Sequence, residues 1–164
     1  MSYALSVWGA APTSAMDRLQ KLQKKGIRHV CNSNYNAHTN PLFKKEKILK
    51  IDDLYKFQCV KIMYKKLQNR LHHYHTSQLS MKHERQTIAT RQRFDVQLDK
   101  KQLKNNFSRI NAINHKIGSS WNELPLDAKM LAFKTLPTFT KRVKNIYLSK
   151  YPIKCYKRNC YSCK

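Results

Sequence analysis

The stretch IDDLYKFQCVKIMYKKL, residues 51–67, restricts the fold more than any other part of the chain. Read as a helix from about Asp53 to Leu67, it leaves Gln58, Lys61 and Lys65 as a narrow polar stripe. Leu54, Tyr55, Phe57, Cys59, Val60, Ile62, Met63, Tyr64 and Leu67 cover most of the remaining circumference. A helix that is apolar nearly all round must be enclosed by other elements. The segment is therefore expected at the centre of the core. With three Gly, five Pro and no sustained strand alternation, the 164 residues predict a mainly α fold, a compact helical domain around that central buried helix.

Other helices follow from periodicity and caps. One is expected from Ser14, with Asp17 completing an S-x-x-D cap. Ala15, Leu19, Leu22, Gly26 and Val30 would make its apolar face, and Arg18, Lys21, Lys25 and Arg28 a basic stripe. Gly26 in mid-helix costs about 1 kcal/mol against Ala, which predicts a close helix–helix approach there. A short helix is expected from Pro41 to Leu49, with Pro in the tolerant first turn. Trp121 belongs to a helix stopped by Pro125, and residues 107–118 suggest a short extended piece. A last helix opens near Pro137 and carries the stripe Phe139, Val143, Ile146 and Tyr147. Residues 68–106 are poorly patterned and read as a loosely ordered polar excursion. The expected organisation is a helical domain over 1–151 and a flexible, basic, Cys-rich tail over 152–164.

Charge points to the partner. Thirty-three Lys and Arg against nine Asp and Glu give a formal net charge of +24. Such a chain repels itself when compact and attracts polyanions: nucleic acid first, an anionic membrane surface second. No run of about 18 apolar residues is present, so no transmembrane helix is expected. The start, MSYALSVWGAAP, lacks the basic region of a secretory signal. The expected location is intracellular, in nucleus or cytoplasm, with the five Cys as thiols or metal ligands rather than disulfides.

Few residues suggest chemistry. Asp52 and Asp53 are adjacent carboxylates of the kind that hold divalent ions, but a helical pattern follows them. Asp in a first helical turn satisfies orphan N–H groups, so the pair reads as a cap and no catalytic residue is assigned. In the tail, Cys155, Cys160 and Cys163 lie among Lys and Arg. Thiolates at that spacing suit Zn2+, although three are one short of a structural site. His115, Cys31 or a residue of another chain could complete it, and a flexible, basic, reducible tail without metal is the alternative. His72, His73 and His75 read as solvated, and Cys59 as core filler. No phosphate-binding Gly loop or hydrolase motif occurs. Basic residues beside aromatics remain: Arg91 and Arg93 near Phe94; Lys141, Arg142 and Lys144 near Phe139 and Tyr147; Lys157 and Arg158 in a run around Tyr151 and Tyr156. Cations neutralise phosphates, and exposed rings stack on unpaired bases.

Five pieces, in order, carry a resemblance. They are Ser6-Val7-Trp8-Gly9 followed by Leu19 to Arg28; the block Thr39 to Tyr55, with Asn40-Pro41-Leu42-Phe43 and Ile51-Asp52-Asp53; His83 with Thr90-Arg91; Gly118-x-x-Trp121-Asn122-x-Leu124-Pro125; and Phe139 with Lys141 to Leu148. Together they resemble the region C-terminal to the polymerase core in reverse transcriptases of non-long-terminal-repeat, LINE-like or jockey-like retrotransposons. The fourth piece has one residue fewer before Trp than the family's element. The resemblance implies a thumb and its extension, which grip template and primer through phosphates. Fingers, palm, endonuclease and the aromatic-x-Asp-Asp hairpin of that family are not seen, and Met1 falls where the family has upstream protein. The chain is thus expected to be no enzyme on its own and to bind RNA or DNA without a membrane role. A polymerase core or a second copy could meet its exposed apolar faces. The alternatives are a partly folded interaction remnant of a truncated element, or a zinc-dependent tail module that binds nucleic acid.

Overall fold

The computed structural model describes residues 5–9, 11–71, 79, 81, 98 and 113–152. In chain order the elements are α1 (Leu5–Trp8), α2 (Thr13–Val30), α3 (Thr39–Lys45), α4 (Ile51–Leu67), α5 (Ile113–Asn122), α6 (Leu126–Met130), a 3-10 turn η1 (Leu131–Phe133) and α7 (Leu136–Ser149). The chain is mainly helical, as expected. Among the described residues the only strand-like pairing is an isolated antiparallel bridge between Met81 and Leu98. The excursion expected over 68–106 falls mostly outside the described residues, and so does all of the tail beyond Pro152.

Three helices stop by one device. At the end of α2 the Ser33 N–H reaches the Arg28 carbonyl (2.9 Å) and the Asn32 N–H reaches that of His29 (3.1 Å). Ile48 and Lys47 repeat the pattern on Phe43 and Lys44 after α3, and Arg70 and Asn69 repeat it on Lys65 and Lys66 after α4. These are Schellman ends, which need a residue in the left-handed region just past the helix. Asn32, Lys47 and Asn69 fill that place, with φ of 47°, 52° and 53°. The stop at Lys47 ends α3 at Lys45, short of the Leu49 that periodicity suggested.

Contacts divide the chain into two units, Met1–Ala10 with Tyr55–Val143, and Ala11–Leu54 with Lys144–Lys164. In the first, α4 supplies buried Tyr55, Cys59, Val60, Met63 and Tyr64 at helical spacing. The Tyr64 ring stacks on Phe139 of α7 (centroids 5.2 Å), and Phe139 meets Trp121 of α5 at 6.4 Å. All three are almost wholly removed from water, burial that stabilises by about 2–3 kcal/mol for each ring. The polar ends are satisfied: the Tyr64 hydroxyl donates to the Lys134 carbonyl (3.0 Å) and Gln68 Nε2 donates to that of Ala132 (2.9 Å). Asn122 clamps one residue of the bridge, accepting from the Leu98 N–H (3.0 Å) and donating to its carbonyl (3.1 Å). Gly9 sits against Tyr55, where an added Cβ would collide with the ring and the Leu5 carbonyl. Along α4 only Asp52 and Lys65 are exposed, while Leu54, Phe57, Ile62 and Leu67 are half-buried.

In the second unit, Met16 and Ile27 of α2, Phe43 of α3, Leu49, Ile51, Tyr147, Leu148 and Tyr151 are buried. Polar side chains organise the backbone between them. Gln23 Nε2 donates to the Leu49 carbonyl while Gln23 Oε1 accepts the Ile51 N–H, both at 2.9 Å. The edge of the Phe43 ring meets Tyr151 at 6.5 Å.

Several local expectations are corrected. Pro12, not Ser14, stands at the start of α2, with φ −53° and ψ 148° and no side-chain cap; Ser14 lies inside the helix. The packing face of α2 runs through Met16, Gln20, Gln23 and Ile27 rather than through Leu22 and Val30, which are 57% and 69% exposed. Among the described residues nothing lies within 4 Å of where a Gly26 Cβ would stand, so none of their helices approaches closely there. Residues 113–118 are helical, not extended, because α5 begins at Ile113.

Candidate nucleic-acid interface

The outer face of α2 carries the clearest row of cations. Arg18, Lys21 and Lys25 are exposed, as is His29 beyond them. Spacings of three, four and four residues put them on one line, about 5 Å apart along the axis. The row exists because the inward face is taken by Met16, Gln20, Gln23 and Ile27. Arg28, expected to continue the row, is turned inward. Its Nε donates to the Ala37 carbonyl at 2.8 Å, and its guanidinium carbon lies 6.0 Å from the centre of the Tyr35 ring.

The other expected contacts are distributed differently. In the first unit Lys141 and Arg142 are exposed on α7, but Arg142 is engaged with Asp127 through Nη2 (2.5 Å) and Nε (3.1 Å). The Arg142 hydrogen bonds hold the Asp127 carboxyl below its ordinary range. A phosphate at Arg142 must compete with that carboxylate. Lys144, in the second unit, is half-buried. Arg91, Arg93, Lys157 and Arg158 lie outside the described residues, as do the metal candidates Cys155, Cys160 and Cys163. Among the described residues no three His, Cys, Asp or Glu side chains stand together as a metal site. Cys59 is fully enclosed, and burial pushes its thiol up to about 11, the setting of an unreactive core residue.

The Asp52–Asp53 pair sits in the first turn of α4. Gln20 Nε2 donates to Asp52 Oδ2 (3.0 Å), and the Tyr151 hydroxyl donates to Asp53 Oδ2 (2.6 Å). The same hydroxyl accepts the Lys50 N–H at 2.9 Å. Tyr151 therefore does not belong with the exposed aromatics: it is 4% exposed, and burial together with its bond to Asp53 raises its hydroxyl far above the ordinary tyrosine range. Lys50 places its ammonium 4.6 Å from the Tyr151 ring centre, and burial lowers its pKa against the pull of Asp53. Both carboxylates stand in the first helical turn, where the helix dipole favours negative charge, and the bonds above go to the side chains of Gln20 and Tyr151.

One feature was missed by sequence reading. At the end of α2 a cavity of about 530 Å³ is lined by Lys25, Gly26, Arg28, His29, Ser33 and Tyr35. Tyr35 is 75% exposed and lies in a turn closed by the Ala37 N–H on the Asn34 carbonyl (2.9 Å). The signal was an aromatic residue between two asparagines, Asn34-Tyr35-Asn36, directly after a basic helix. No helix among the described residues is long and apolar enough to cross a membrane. No family model, curated protein or solved structure matches the chain.

Proposed function

We propose that the chain is a non-catalytic, nucleic-acid-binding helical module of the kind that follows the polymerase core in retrotransposon reverse transcriptases. It takes RNA or DNA by its phosphates with little choice of sequence. The observation that carries the reading is the row Arg18, Lys21, Lys25 on the outer face of α2, in a chain of net charge +24. Cations one turn apart, with long flexible stems, can each reach a phosphate and release its counterion. The five ordered sequence pieces support the family part of the proposal. The test is titration of a labelled single strand at rising salt. Log affinity should fall with log salt by about 0.7 per phosphate engaged, so a row of three gives a slope near −2. Replacing Arg18, Lys21 and Lys25 by Gln should flatten the slope by that amount on every sequence alike. Affinity indifferent to salt would falsify the proposal.

A second reading, self-association, is favoured by Leu126, Met130 and Phe133. They are 61%, 53% and 57% exposed and follow one another at spacings of four and three residues. Large apolar side chains left in water on one side of an element mark interaction surfaces. Sedimentation of the full chain over a hundredfold concentration range decides it: a constant monomer mass removes the reading.

A further inference from the structure

The end of α2 has a shape that phosphate binding alone does not require. The depression there, about 530 Å³ and largely open to solvent, has the volume of small-ligand sites without their enclosure. Lys25, Arg28 and His29 line it, and among the described residues no carboxylate does. Lys25 is also the last of the three exposed cations on α2, so a strand following that row arrives at the cavity. Gly26 forms part of the wall without a side chain, and nothing stands within 4 Å of the Cβ position. Glycine here weakens the helix by about 1 kcal/mol, and among the described residues no neighbour packs close enough to require it. Its effect is to leave room. On the far side Tyr35 keeps three quarters of its surface in water. The turn that carries it is tied to α2 by Arg28, whose Nε holds the Ala37 carbonyl. An aromatic ring held open to solvent, beside free volume and cations, suits a ligand that is flat and anionic.

We propose that this cavity receives one unpaired base of a single strand, stacked on Tyr35, with its flanking phosphate on Lys25 and His29. Arg28 is a positioning residue: it fixes the turn and lies beside the ring. The proposal rests on the nucleic-acid reading above and adds a base-recognising subsite to it. Every base has a π face, so the subsite accepts any of the four and separates strands that have a base at that point from strands that lack one.

The test uses the full chain and two labelled 12-mers, as RNA and as DNA, each compared with an otherwise identical strand carrying abasic positions. The intact strand should bind about tenfold more tightly than the abasic one, in line with the worth of one stacked base. Tyr35→Ala should abolish that ratio and Tyr35→Phe should keep it. Gly26→Leu, which fills the cavity, should abolish it as well. None of the three should change the salt slope. A preference on either RNA or DNA supports the subsite. Equal affinity for intact and abasic strands, with the salt slope present, overturns the subsite and leaves the phosphate row standing. A ratio that survives Tyr35→Ala also overturns it. Absence of binding to every strand removes both readings. Circular dichroism melting of each variant controls for folding, and the exposure of Tyr35 predicts unchanged melting for Tyr35→Ala.

Discussion

In the first unit Trp121, Tyr64 and Phe139 meet ring to ring, and hydrogen bonds finish what apolar contact begins. In the second, the Gln23 amide and the Tyr151 hydroxyl hold backbone groups at the start of α4, beside a single ring contact of Tyr151 with Phe43 among the described residues. The two arrangements respond differently to substitution. A ring core loses stability with the volume removed from it. An amide that satisfies both a buried carbonyl and a buried N–H cannot be replaced by a residue of similar size, because both partners would then go unmet.

Substitutions test that contrast. Trp121→Ala should have the largest effect, a loss of about 3–5 kcal/mol in chemical denaturation. Trp121→Phe, which restores a ring, should recover part of it. Alkaline titration comes next. Burial raises the Cys59 thiol from 9.0 to about 11, so the folded chain keeps a proton that the unfolded chain gives up. Stability is complete below pH 9 and should decline between pH 9 and about 11, by about 2–3 kcal/mol from this group. Tyr55 and Tyr151, both raised above 10.0, extend the decline upward. Cys59→Ala should remove the part of the slope that begins near pH 9, and a slope unchanged in that variant would exclude the thiol as its source.

Gln23→Leu should lose about 1–3 kcal/mol despite adding apolar surface. If this leucine variant proves as stable as the parent, the second unit is an ordinary apolar core and the contrast collapses. The smallest effects concern backbone freedom. Gly26→Ala meets open space and should stabilise by about 1 kcal/mol, whereas Gly9→Ala should destabilise because Tyr55 occupies the position. Thermal melting of the two variants in parallel gives the sign of each.

The same contrast explains what the sequence disclosed. The α4 and α7 faces could be read because Tyr55, Cys59, Met63, Phe139, Val143 and Tyr147 are buried at helical spacing and are apolar. The face of α2 could not, because Gln20 and Gln23 sit on its inward side while Leu22 and Val30 point out. Periodicity assumes that apolar means inside, and it fails where a side chain is buried for its hydrogen bonds. The exposed row of Arg18, Lys21 and Lys25 was legible because charge seldom enters a core. The inward turn of Arg28 depends on the Ala37 carbonyl nine residues later, which no spacing rule reports. Tyr35 was passed over for the opposite reason: an aromatic residue in a polar turn carries no periodic signal.

The three left-handed stops at Asn32, Lys47 and Asn69 have a kinetic consequence. Each is closed by hydrogen bonds that reach back no more than five residues, from Ser33 to Arg28, from Ile48 to Phe43 and from Arg70 to Lys65. Helical turns and short loops form within about a microsecond, long before distant segments meet. The boundaries of α2, α3 and α4 can therefore be set early and locally. The slow steps left to the search are the ones that carry large loop-closure entropy, such as bringing Tyr151 to Lys50 across 101 residues.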